Sequence, residues 1–587
     1  MLDDSLLQVM KPARYIGSEW NVSKKNFRKT DIRFALSFPD LYDVGMSNLG
    51  MRVIYGILNN LTDVCCERFF SPAEDMENLL KSQGQGVFSL ESQIGIREFD
   101  IIGFSLGSEL DYTNVLNALE LGFIPVSSGE RGKDDPLVIA GGPCALNPEP
   151  MHDFIDLFVI GEAEDLILEF IDVYRRFKDD FKSGRISRKD FLAAFLHIEG
   201  IYIPSFYEAR HSLEGYLEEF KPLNSIVPSR ISKRIVKDLN SSYFPVEWLV
   251  PYIQIIHDRI TIEIMRGCPN RCRFCQARNQ YYPYRVRSLD NIVALAEKTY
   301  QNTGYEEMSL CGLSVTDYPH IEELAQRLIE LFQKKAVSVS LPSIKAKAMV
   351  ANLSSVIAGI KKTGLTFAPE AGSQRLRKII CKDFNEEEFF LGLEGAYSAG
   401  YQHVKLYFMI GLPGEKENDL DAIIDFSNRV SQARRKTNKG PAQVNVSINT
   451  FIPKPHTSFQ WFAMDKPEIV KEKQEYLRNK LRNRSIKINF QNRQMSFLEA
   501  VLSSGDRRLS KVIYYAYKQG AKFDAWTDKF SFEKWIEAFK QAGVDPDFYL
   551  REKKTGEYLP WSFIDMGIDN SVLINEYTDT LNVIARE

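Results

Sequence analysis

Three closely spaced cysteines follow a short apolar segment near the middle of this 587-residue chain. Residues Ile260–Met265 alternate in hydrophobicity, which predicts a β-strand. The loop that follows, Gly267–Cys275, reads G-C-P-N-R-C-R-F-C and carries Cys268, Cys272 and Cys275. Three thiolates on one loop suit an iron–sulfur cluster. Three ligands for a four-iron cluster leave one iron open to bind a further molecule, as an open zinc site does.

Two other interpretations of these cysteines are a structural zinc site and thiols with no shared role. Zinc sites in proteins normally have four ligands. Neither His257 nor His320 has the close spacing to the cysteines that would complete such a site. The sequence therefore favours the iron–sulfur cluster.

Residues 251–465 carry strand and helix signals in alternation, with Asp290–Tyr300 and Ile321–Gln333 as the clearest amphipathic helices. The predicted strands are Arg259–Met265, Glu307–Cys311, Val337–Leu341, Leu365–Ala368, His403–Met409 and Val444–Phe451. Six such units predict a partial (β/α)6 barrel of the TIM type, whose active site lies at the carboxyl ends of its strands. The cysteine loop follows the first of these strands.

Four further segments follow predicted barrel strands and are expected at the same end of the barrel as the cysteines. Cys311–Ser314 reads C-G-L-S, and Phe367–Arg377 reads F-A-P-E-A-G-S-Q-R-L-R. Ile410–Glu415 reads I-G-L-P-G-E, and Asn449–Thr457 reads N-T-F-I-P-K-P-H-T. A carboxylate such as Glu370 can accept hydrogen bonds, and a guanidinium can bind a carboxylate through two of them.

The cysteine spacing, with an aromatic residue before the third cysteine, resembles the signature of the radical S-adenosylmethionine (SAM) enzymes. The resemblance implies that the open iron chelates SAM through its amino and carboxylate groups. One electron then cleaves SAM to a 5′-deoxyadenosyl radical. It also implies that the cluster ligands are Cys268, Cys272 and Cys275. The segments at the strand ends, which are similar to SAM-contacting segments of that family, imply cofactor-binding roles for Phe274, Gly312, Ser314, Glu370, Ser373, Arg375 and Pro453.

Residues 31–180 read as a second α/β unit, with helical stretches at Leu110–Leu121 and Asp165–Phe177. The predicted strands are Ile32–Phe38, Ile101–Ser105, Leu137–Gly141 and Ile155–Ile160. Short apolar strands of this kind are typical of a buried parallel sheet. The sequence predicts a doubly wound, flavodoxin-like sheet, which binds ligands at the carboxyl ends of its strands.

The strand ends Gly141–Pro143 and Gly161–Glu164 give this unit a pattern that resembles the cobalamin-binding domains preceding many radical SAM barrels. The chain has no D-x-H-x-x-G motif, with which some of those domains place a histidine on cobalt. Two interpretations remain open. The domain binds cobalamin without a histidine ligand, or it is a degenerate domain that only packs over the barrel.

The remaining cysteines bear on a related class, the methylthiotransferases, which carry a second cluster on three cysteines of the N-terminal domain. Only Cys65, Cys66 and Cys144 are available there. Buried free cysteines are common as small hydrophobic residues, and this interpretation is favoured. The sequence therefore predicts one cluster.

The expected organisation is an α/β protein whose flavodoxin-like sheet and partial barrel are followed by a mostly helical C-terminal region. Between Lys471 and Arg493 eight basic residues face either RNA phosphates or solvent. The segments G-D-R-R-L and L-P-W resemble a bacterial radical SAM family of unassigned function with an N-terminal cobalamin-like domain. The predicted boundaries are 1–30 for an N-terminal extension, 31–180 for the cobalamin-binding-like domain, 181–250 for a linker, 251–465 for the barrel and 466–587 for the C-terminal domain.

Composition limits the setting in which the chain works. Hydrophobic residues make up 44% and charged residues 26%, and the net charge is -4, which gives no overall signal for nucleic acid or an anionic membrane. The N-terminal residues Met1–Ser5 do not resemble a signal peptide, and no apolar run is long enough to span a bilayer. The cytoplasm is the expected location.

These observations predict a radical SAM enzyme with one 4Fe–4S cluster that modifies an unactivated C–H position, by methylation if cobalamin binds. Its catalytic residues and its substrate, whether RNA, protein or small molecule, are not assigned. The resemblance implies a one-electron reductant such as flavodoxin or ferredoxin. The alternatives are a methylthiotransferase-like enzyme acting on RNA or protein, and a non-catalytic iron–sulfur interaction protein.

Overall fold

The computed structural model of the protein describes residues 5–340 and 364–586. Leu341, the last residue of one predicted strand, lies outside the described residues. None of the helices in the described part of the chain combines the length and the apolar character needed to cross a membrane.

The N-terminal unit is built on a six-stranded sheet. Its strands are β1 Ile32–Phe38, β2 Val64–Phe70, β3 Ile101–Ser105, β4 Leu137–Gly141, β5 Leu157–Val159 and β6 Ile201–Tyr202. The strand order is β2-β1-β3-β4-β5-β6, with only β6 antiparallel to its neighbour. The first five strands follow the flavodoxin-like order 2-1-3-4-5, which confirms the predicted doubly wound sheet.

Helices and short strands complete this half of the chain. The helices are α1 Tyr42–Gly45, α2 Leu49–Asn60, α3 Glu74–Ser82, α4 Tyr112–Leu121, α5 Leu166–Lys182 and α6 Arg188–Ala193. The following strands are β7 Tyr207–His211, β8 Leu217–Pro222 and β9 Ile231–Ser232. The strands β7 and β8 form an antiparallel hairpin. The predicted linker region, 181–250, thus contains helix α6 and short strands.

The middle of the chain forms two parallel sheets and one short hairpin. The strands are β10 Ile260–Glu263, β11 Met265–Arg266, β12 Arg285–Val286, β13 Glu307–Cys311, β14 Ser338–Ser340, β15 Leu365–Glu370, β16 His403–Ile410, β17 Gln443–Thr450 and β18 Ile486–Phe490. The helices are α7 Gln276–Gln280, α8 Leu289–Thr303, α9 Ile321–Gln333, α10 Gln374–Ile379, α11 Glu386–Ser398, α12 Glu417–Ala433 and α13 Pro467–Lys480.

The two parallel sheets have the orders β10-β13-β14 and β15-β16-β17-β18. All six predicted barrel strands are present, and β18 adds a seventh that pairs in parallel with β17. Alternate apolar residues of β16, such as Leu406 and Phe408, are buried in a core shared with the helices. Lys405 and Tyr407 alternate with them on the opposite face of the sheet, as the period of two in a strand requires.

Most of the C-terminal region packs against the N-terminal sheet, while Leu559, Trp561, Leu573 and Tyr577 form a small separate cluster with Trp461. The elements of this region are α14 Arg493–Ser503, α15 Leu509–Lys518, α16 Phe532–Ala542, α17 Asp547–Leu550, β19 Ile564–Asp565 and α18 Asn570–Arg586. Phe497, Leu509 and Trp535 belong to the same buried cluster as Phe34 and Leu116 of the N-terminal unit. The strand β19 pairs with β9. The two ends of the chain thus share one hydrophobic core.

Asp524 is a buried acid at this contact between the C-terminal and N-terminal regions. It accepts hydrogen bonds from Trp535 Nε1 at 3.1 Å and from Thr113 Oγ1 at 2.9 Å. Burial raises the pKa of Asp524 to about 6, while those hydrogen bonds oppose the rise. The folded protein therefore holds this proton more tightly than the unfolded chain does. The stability that protonation of Asp524 contributes is lost as pH rises from about 4 through about 6.

We expect the Asp524→Asn variant to be more stable than the natural protein at pH 8, where the natural carboxylate is buried and ionised. At pH 3.5 to 4 the two proteins should differ little, since little of the stability that protonation of Asp524 contributes has been lost there. The difference is on the order of 3 kcal/mol for a two-unit pKa shift. Thermal unfolding at pH 4 and pH 8 measures it, with the exposed Asp528→Asn as control. An equal effect of Asp524→Asn at both pH values would contradict the expectation.

Candidate functional site

The cysteine loop is enclosed by a short antiparallel hairpin at the end of β10. Met265 pairs with Val286 and Arg266 pairs with Arg285, so that residues 267–284 leave and return to the same place. We call residues 265–286 the cluster hairpin. At its start Gly267 has φ +82°, a conformation that favours glycine. A Cβ there would lie 2.8 Å from the carbonyl oxygens of two residues on the returning side of the hairpin.

The three thiols lie on this hairpin as free, partly buried side chains. The backbone N–H of Cys275 donates to the carbonyl of Cys272 at 3.2 Å, which closes the turn between them. Asn270 Nδ2 donates to the sulfur of Cys268 at 3.2 Å. Burial raises the pKa of Cys272 to about 12, opposed by the positive charge of Lys382 and reinforced by the other two cysteines. The thiols are therefore close enough to influence one another.

The donor set fits an iron–sulfur cluster better than a single metal ion. Within residues 5–340 and 364–586, no three His, Cys, Asp or Glu side chains are placed to hold one metal ion. A mononuclear zinc site would need such convergence. In a four-iron cluster each thiolate binds a different iron, so the sulfur atoms lie farther apart than around a single metal ion. Soft thiolate sulfur is also the donor that iron–sulfur clusters use.

Gly312 and Ser314 lie beside the hairpin at the end of β13. Gly312 packs against the first strand of the hairpin, because a Cβ at this position would lie 2.5 Å from Met265 Cγ. Ser314 Oγ donates to Asp317 Oδ2 at 2.7 Å, and Asn270 Nδ2 donates to the same oxygen at 2.7 Å. Asp317 therefore connects the second barrel strand to the cysteine loop.

Glu370 closes β15 in a left-handed backbone conformation, with φ +65°. Such a conformation costs energy for a residue other than glycine, and residues held in it cluster at functional sites. Lys382 Nζ pairs with Glu370 Oε1 at 2.8 Å and lies 5.9 Å from the ring centroid of Phe274. The same ammonium group is the main electrostatic influence that lowers the pKa of Cys272. Glu370 and the cysteine loop thus share one cation.

Ser373 and Arg375 are both held by Asp419. Ser373 caps helix α10, since its Oγ accepts from the backbone N–H of Leu376 at 3.1 Å. The same hydroxyl donates to one oxygen of Asp419, and the Arg375 guanidinium pairs with the other. Arg375 also donates to the carbonyl of Gly414 at 2.7 Å. These contacts place the I-G-L-P-G-E turn against the start of α10.

The Pro453 segment lies beside α7, the helix that follows Cys275. Pro453 is buried. Two residues further on, the carbonyl of Pro455 accepts from Gln276 Nε2 at 3.4 Å, and the carbonyl of His456 accepts from Asn279 Nδ2. The structure therefore brings segments from the ends of four barrel strands to the cluster hairpin.

The C-terminal helix α18 covers the outer side of the hairpin. Phe274 and Ile584 of α18 both pack against the buried cluster that contains Leu376 and Ile379. Arg278 forms a two-pronged ion pair with Glu576, at 2.9 and 3.2 Å, and Arg273 donates to Thr580 Oγ1 at 2.9 Å. The last helix of the described chain is thus part of the wall of the site.

Sequence reasoning missed the residues that connect these segments. Asp317, Lys382 and Asp419 each join two predicted site segments, but none lies within a predicted motif. Ser314 and Asp317 have the S-x-x-D spacing of a capping pair, which is the one local signal that could have identified Asp317. Lys382 and Asp419 meet partners 12 and 44 to 46 residues away, so no local pattern marks them.

The other cysteines of the N-terminal unit do not assemble into a second site. Cys65 and Cys66 lie on β2, and Cys144 follows β4. Two strands, β1 and β3, separate β2 from β4, which places these thiols about 14 Å apart at a strand spacing of about 4.8 Å. Burial raises the pKa of Cys66 and of Cys144 well above the usual thiol value. They behave as buried, inert side chains.

The carboxyl ends of β3 and β4 are the open part of the N-terminal sheet. Ser105, Gly107, Ser108 and the segment 141–143 are at least partly exposed there. The loops that follow β1 and β3 contain no histidine, and His152, in the segment between β4 and β5, lies against the carbonyl of Glu149 and the carboxylate of Asp153. Packing already explains two of the glycines, since a Cβ on Gly107 would meet the Phe38 ring at 2.9 Å and one on Gly142 the Leu106 carbonyl at 2.7 Å.

The crowding around Gly267 gives a direct test of the cluster hairpin. We expect Gly267→Ala to force the hairpin open, because its Cβ would meet backbone atoms that cannot move independently. The iron bound after anaerobic reconstitution should fall by at least half. Gly304→Ala is the matched control, since Gly304 has a similar φ of +69° but no atom within 4 Å of its Cβ position. Equal iron content in both variants would contradict this account of the hairpin.

Comparisons with known proteins agree with this architecture. The model of the radical SAM superfamily matches residues 262–427, and a model of the N-terminal region of radical SAM proteins matches residues 50–204. An uncharacterised protein of Methanocaldococcus jannaschii, MJ0966, is 30% identical over 515 residues, which cover 87% of this chain and 97% of that protein. A tRNA-2-methylthio-N(6)-dimethylallyladenosine synthase of Chlorobium phaeobacteroides is 29% identical over 141 residues, 22% of this chain and 30% of that enzyme.

Among solved structures, the cobalamin-dependent SAM radical enzyme OxsB with aqua-cobalamin and SAM bound matches with a TM-score of 0.45 and 13% identity, over 95% of this chain and 80% of that one. The two family matches, together with the similarity to MJ0966 over nearly the whole length of that protein, establish the class of this protein. The chain belongs to the radical SAM superfamily. It is an enzyme, and its family implies an iron–sulfur cluster and SAM as cofactors.

Proposed function

We propose that this protein cleaves SAM reductively at a 4Fe–4S cluster and uses the 5′-deoxyadenosyl radical to modify an unactivated C–H position of its substrate. The observation that carries the proposal is the meeting of the cysteine loop, through Cys272 and Cys275, with Glu370 at one lysine, Lys382, at the carboxyl ends of the barrel strands. Radical chemistry at this place needs a cofactor to supply the reactive group and a protein that positions and shields it.

Cys268, Cys272 and Cys275 would hold the cluster, which supplies the electron for cleavage when bound. Asn270 donates a hydrogen bond to the Cys268 sulfur, and Lys382 places a positive charge near Cys272. Both interactions favour the thiolate form that iron requires. Hydrogen bonds and charges near the sulfurs also tune the reduction potential of such clusters.

The residues proposed to contact SAM lie at the same carboxyl ends of the barrel strands. Glu370 is fixed by Lys382 at the mouth of the barrel, where its second oxygen can accept from a ribose hydroxyl. The backbone at Gly312 approaches the hairpin closely, because no side chain intervenes. Asp419 holds Ser373 and Arg375 at the start of α10, beside the loop that carries Gly414. Pro453 contributes an apolar wall next to α7.

Cobalamin-dependent methylation is the second candidate, and the open ends of β3 and β4 favour it. Two contacts bracket this opening. Glu109, after β3, pairs with Lys454 of the Pro453 segment at 3.0 Å. Glu164, after β5, pairs with Arg266 of the cluster hairpin at 2.7 Å. The carboxyl ends of the strands are the ligand position typical of doubly wound sheets. A planar ligand bound there would therefore face the mouth of the barrel.

The structure argues less well for a methylthiotransferase, because that activity would require a second cluster that Cys65, Cys66 and Cys144 are too far apart to form. The required electron is proposed to come from a one-electron carrier such as a flavodoxin or a ferredoxin.

The test is anaerobic reconstitution with iron and sulfide, with and without hydroxocobalamin, followed by incubation with SAM and dithionite. We expect 5′-deoxyadenosine, measured by mass spectrometry, to form in the natural protein and not in Cys272→Ala. Retention of cobalamin through gel filtration would direct the substrate search towards methylation. A fully loaded cluster whose EPR spectrum does not change with SAM, and which yields no 5′-deoxyadenosine, would refute the proposal and favour a non-catalytic interaction protein.

A further inference from the structure

Two arginines stand at the rim of the cluster hairpin, one on each of its strands. Arg266 immediately precedes Gly267 and the first cysteine, and Arg285 lies opposite it on the returning strand. Their guanidinium groups contact the segment Gly161–Glu164, which follows β5 of the N-terminal unit. In the sequence this segment is part of the pattern that resembles cobalamin-binding domains, and in the structure two of its side chains bind the arginines of the cluster hairpin.

Glu162 is the centre of the contact. Its carboxylate binds Arg285 through two parallel hydrogen bonds, at 2.7 and 2.8 Å, and Arg266 at 3.2 Å. The backbone N–H of Val236 donates to the same carboxylate at 2.6 Å. Burial would raise the pKa of Glu162, but the hydrogen bond from Arg285 and the charges of both arginines lower it below its usual value. A charge this deeply buried is retained only with such partners.

Glu164 completes the arrangement from the same loop. It pairs with Arg266 at 2.7 Å, and Glu263 at the end of β10 binds the other side of the same guanidinium at 2.8 and 3.1 Å. Glu162 and Glu164 are both buried. Arg266 is therefore held between the N-terminal unit and the barrel strand from which the hairpin departs.

Residues 279–282 of the hairpin are fixed by a lysine from the predicted linker. Lys233 follows β9 and is buried. Its ammonium group donates to the carbonyls of Asn279, Gln280 and Tyr282 at 3.0, 2.9 and 2.8 Å. These carbonyls lie at and just after the carboxyl end of α7, which carries a partial negative charge and leaves acceptors unsatisfied. All three donors of the lysine are used.

A close approach of backbones makes this contact rigid. Gly161 has φ +106°, and a Cβ there would lie 2.3 Å from the carbonyl oxygen of Arg234. Arg234 in turn donates its N–H to the carbonyl of Ile160 at 2.9 Å and accepts from the N–H of Glu162 at 3.0 Å. The residues that supply Glu162 and Lys233 are thus joined to each other before either reaches the hairpin.

We propose that Glu162, Glu164 and Lys233 are positioning residues that clamp the cluster hairpin to the N-terminal unit, so that the cysteine loop has its binding shape only in the presence of that unit. The inference rests on the proposed function, because it assigns these residues to the cluster-binding loop. It gives the N-terminal unit a role in the site that does not depend on cobalamin. A bidentate arginine–carboxylate pair fixes orientation as well as distance, which suits such a role.

Hydrogen–deuterium exchange of the full-length protein without iron or SAM tests the clamp. In the natural protein we expect protection of residues 267–284. Glu162→Gln should accelerate exchange there at least tenfold, and Glu164→Gln, which removes one ion pair, should do so to a smaller extent. Glu149→Gln is the matched control, since Glu149 is an equally buried carboxylate paired with Arg507 elsewhere. It should leave exchange of residues 267–284 unchanged even where it lowers overall stability.

A double-mutant cycle and a spectroscopic readout complete the test. Since Glu162 and Arg285 form one pair, the double variant with Arg285→Gln should exchange no faster than the faster single variant. In reconstituted Glu162→Gln, iron retention through gel filtration should fall severalfold and the EPR signal of the reduced cluster should broaden. Unchanged exchange in folded Glu162→Gln, equal acceleration by Glu149→Gln, or an unprotected hairpin in the natural protein would each overturn the clamp. Because exchange is measured without SAM, its outcome is independent of SAM cleavage.

Discussion

Cys275→Ala is expected to lose both the cluster and the formation of 5′-deoxyadenosine. Removal of one of three thiolates leaves an iron without its protein ligand, and a site with two thiolates does not retain the cluster. Iron should fall from about four per chain to a small fraction of that value, and 5′-deoxyadenosine should fall to the level of a reaction without protein. Iron analysis and mass spectrometry after anaerobic reconstitution measure the two quantities.

Cys144→Ala provides the contrast, because Cys144 is a buried thiol of similar size outside the hairpin. It should keep about four irons per chain and its full yield of 5′-deoxyadenosine. Loss of iron in Cys144→Ala, with the protein still folded, would show a second cluster. That result would return the methylthiotransferase interpretation to first place.

Arg507→Met is expected to have the largest effect on stability. Arg507 Nε pairs with the buried carboxylate of Glu149 at 2.6 Å, and its other nitrogens donate to the hydroxyl of Tyr202 at 2.9 Å and the carbonyl of Tyr207 at 2.7 Å. Removal of the guanidinium leaves the carboxylate buried without its partner, which costs about 3–5 kcal/mol. The melting temperature should fall by about 2–4 °C, because one degree corresponds to about 1.2 kcal/mol for a chain of this length.

Two further variants identify the cause of this loss. Arg210→Met removes an exposed ion pair with nitrogen–oxygen distances of 3.7 and 3.9 Å, and should change the melting temperature little. Glu149→Gln introduced into Arg507→Met should restore part of the loss, because it removes the orphaned charge. If the double variant were less stable than Arg507→Met, the buried carboxylate would not be the source of the effect.

The sequence was most informative where local patterns are strong. Strands β1, β3, β4 and β13 and helix α9 begin and end at the predicted residues, because each carries a strong apolar pattern over its whole length. The cysteine loop was predicted from spacing alone, and its position after the first barrel strand is confirmed. Boundaries in the barrel differ by a residue or two, as frayed element ends usually do.

Long-range pairing was the part that the sequence could not predict. The G-D-R-R-L segment was noted only as a resemblance, yet Arg507 reaches a carboxylate 358 residues earlier in the chain. Glu162 and Glu164 were noted as a motif, but their partners Arg266 and Arg285 lie about a hundred residues further on and carry no sign of pairing in the sequence. Charge pairs of this kind depend on which elements the fold brings together. The SAM contacts at Glu370, Ser373 and Arg375 stay predictions.

The cover that α18 places over Phe274 has a consequence for how the protein is made. Asn570–Arg586 is synthesised long after Cys275, and at 5–20 residues per second the delay is on the order of half a minute. During that interval the nascent thiols have no helix above them and are open to oxidants and to competing metals. The cysteine loop is therefore accessible to iron early in synthesis. Once helix α18 has folded over it, that helix shelters the iron centre.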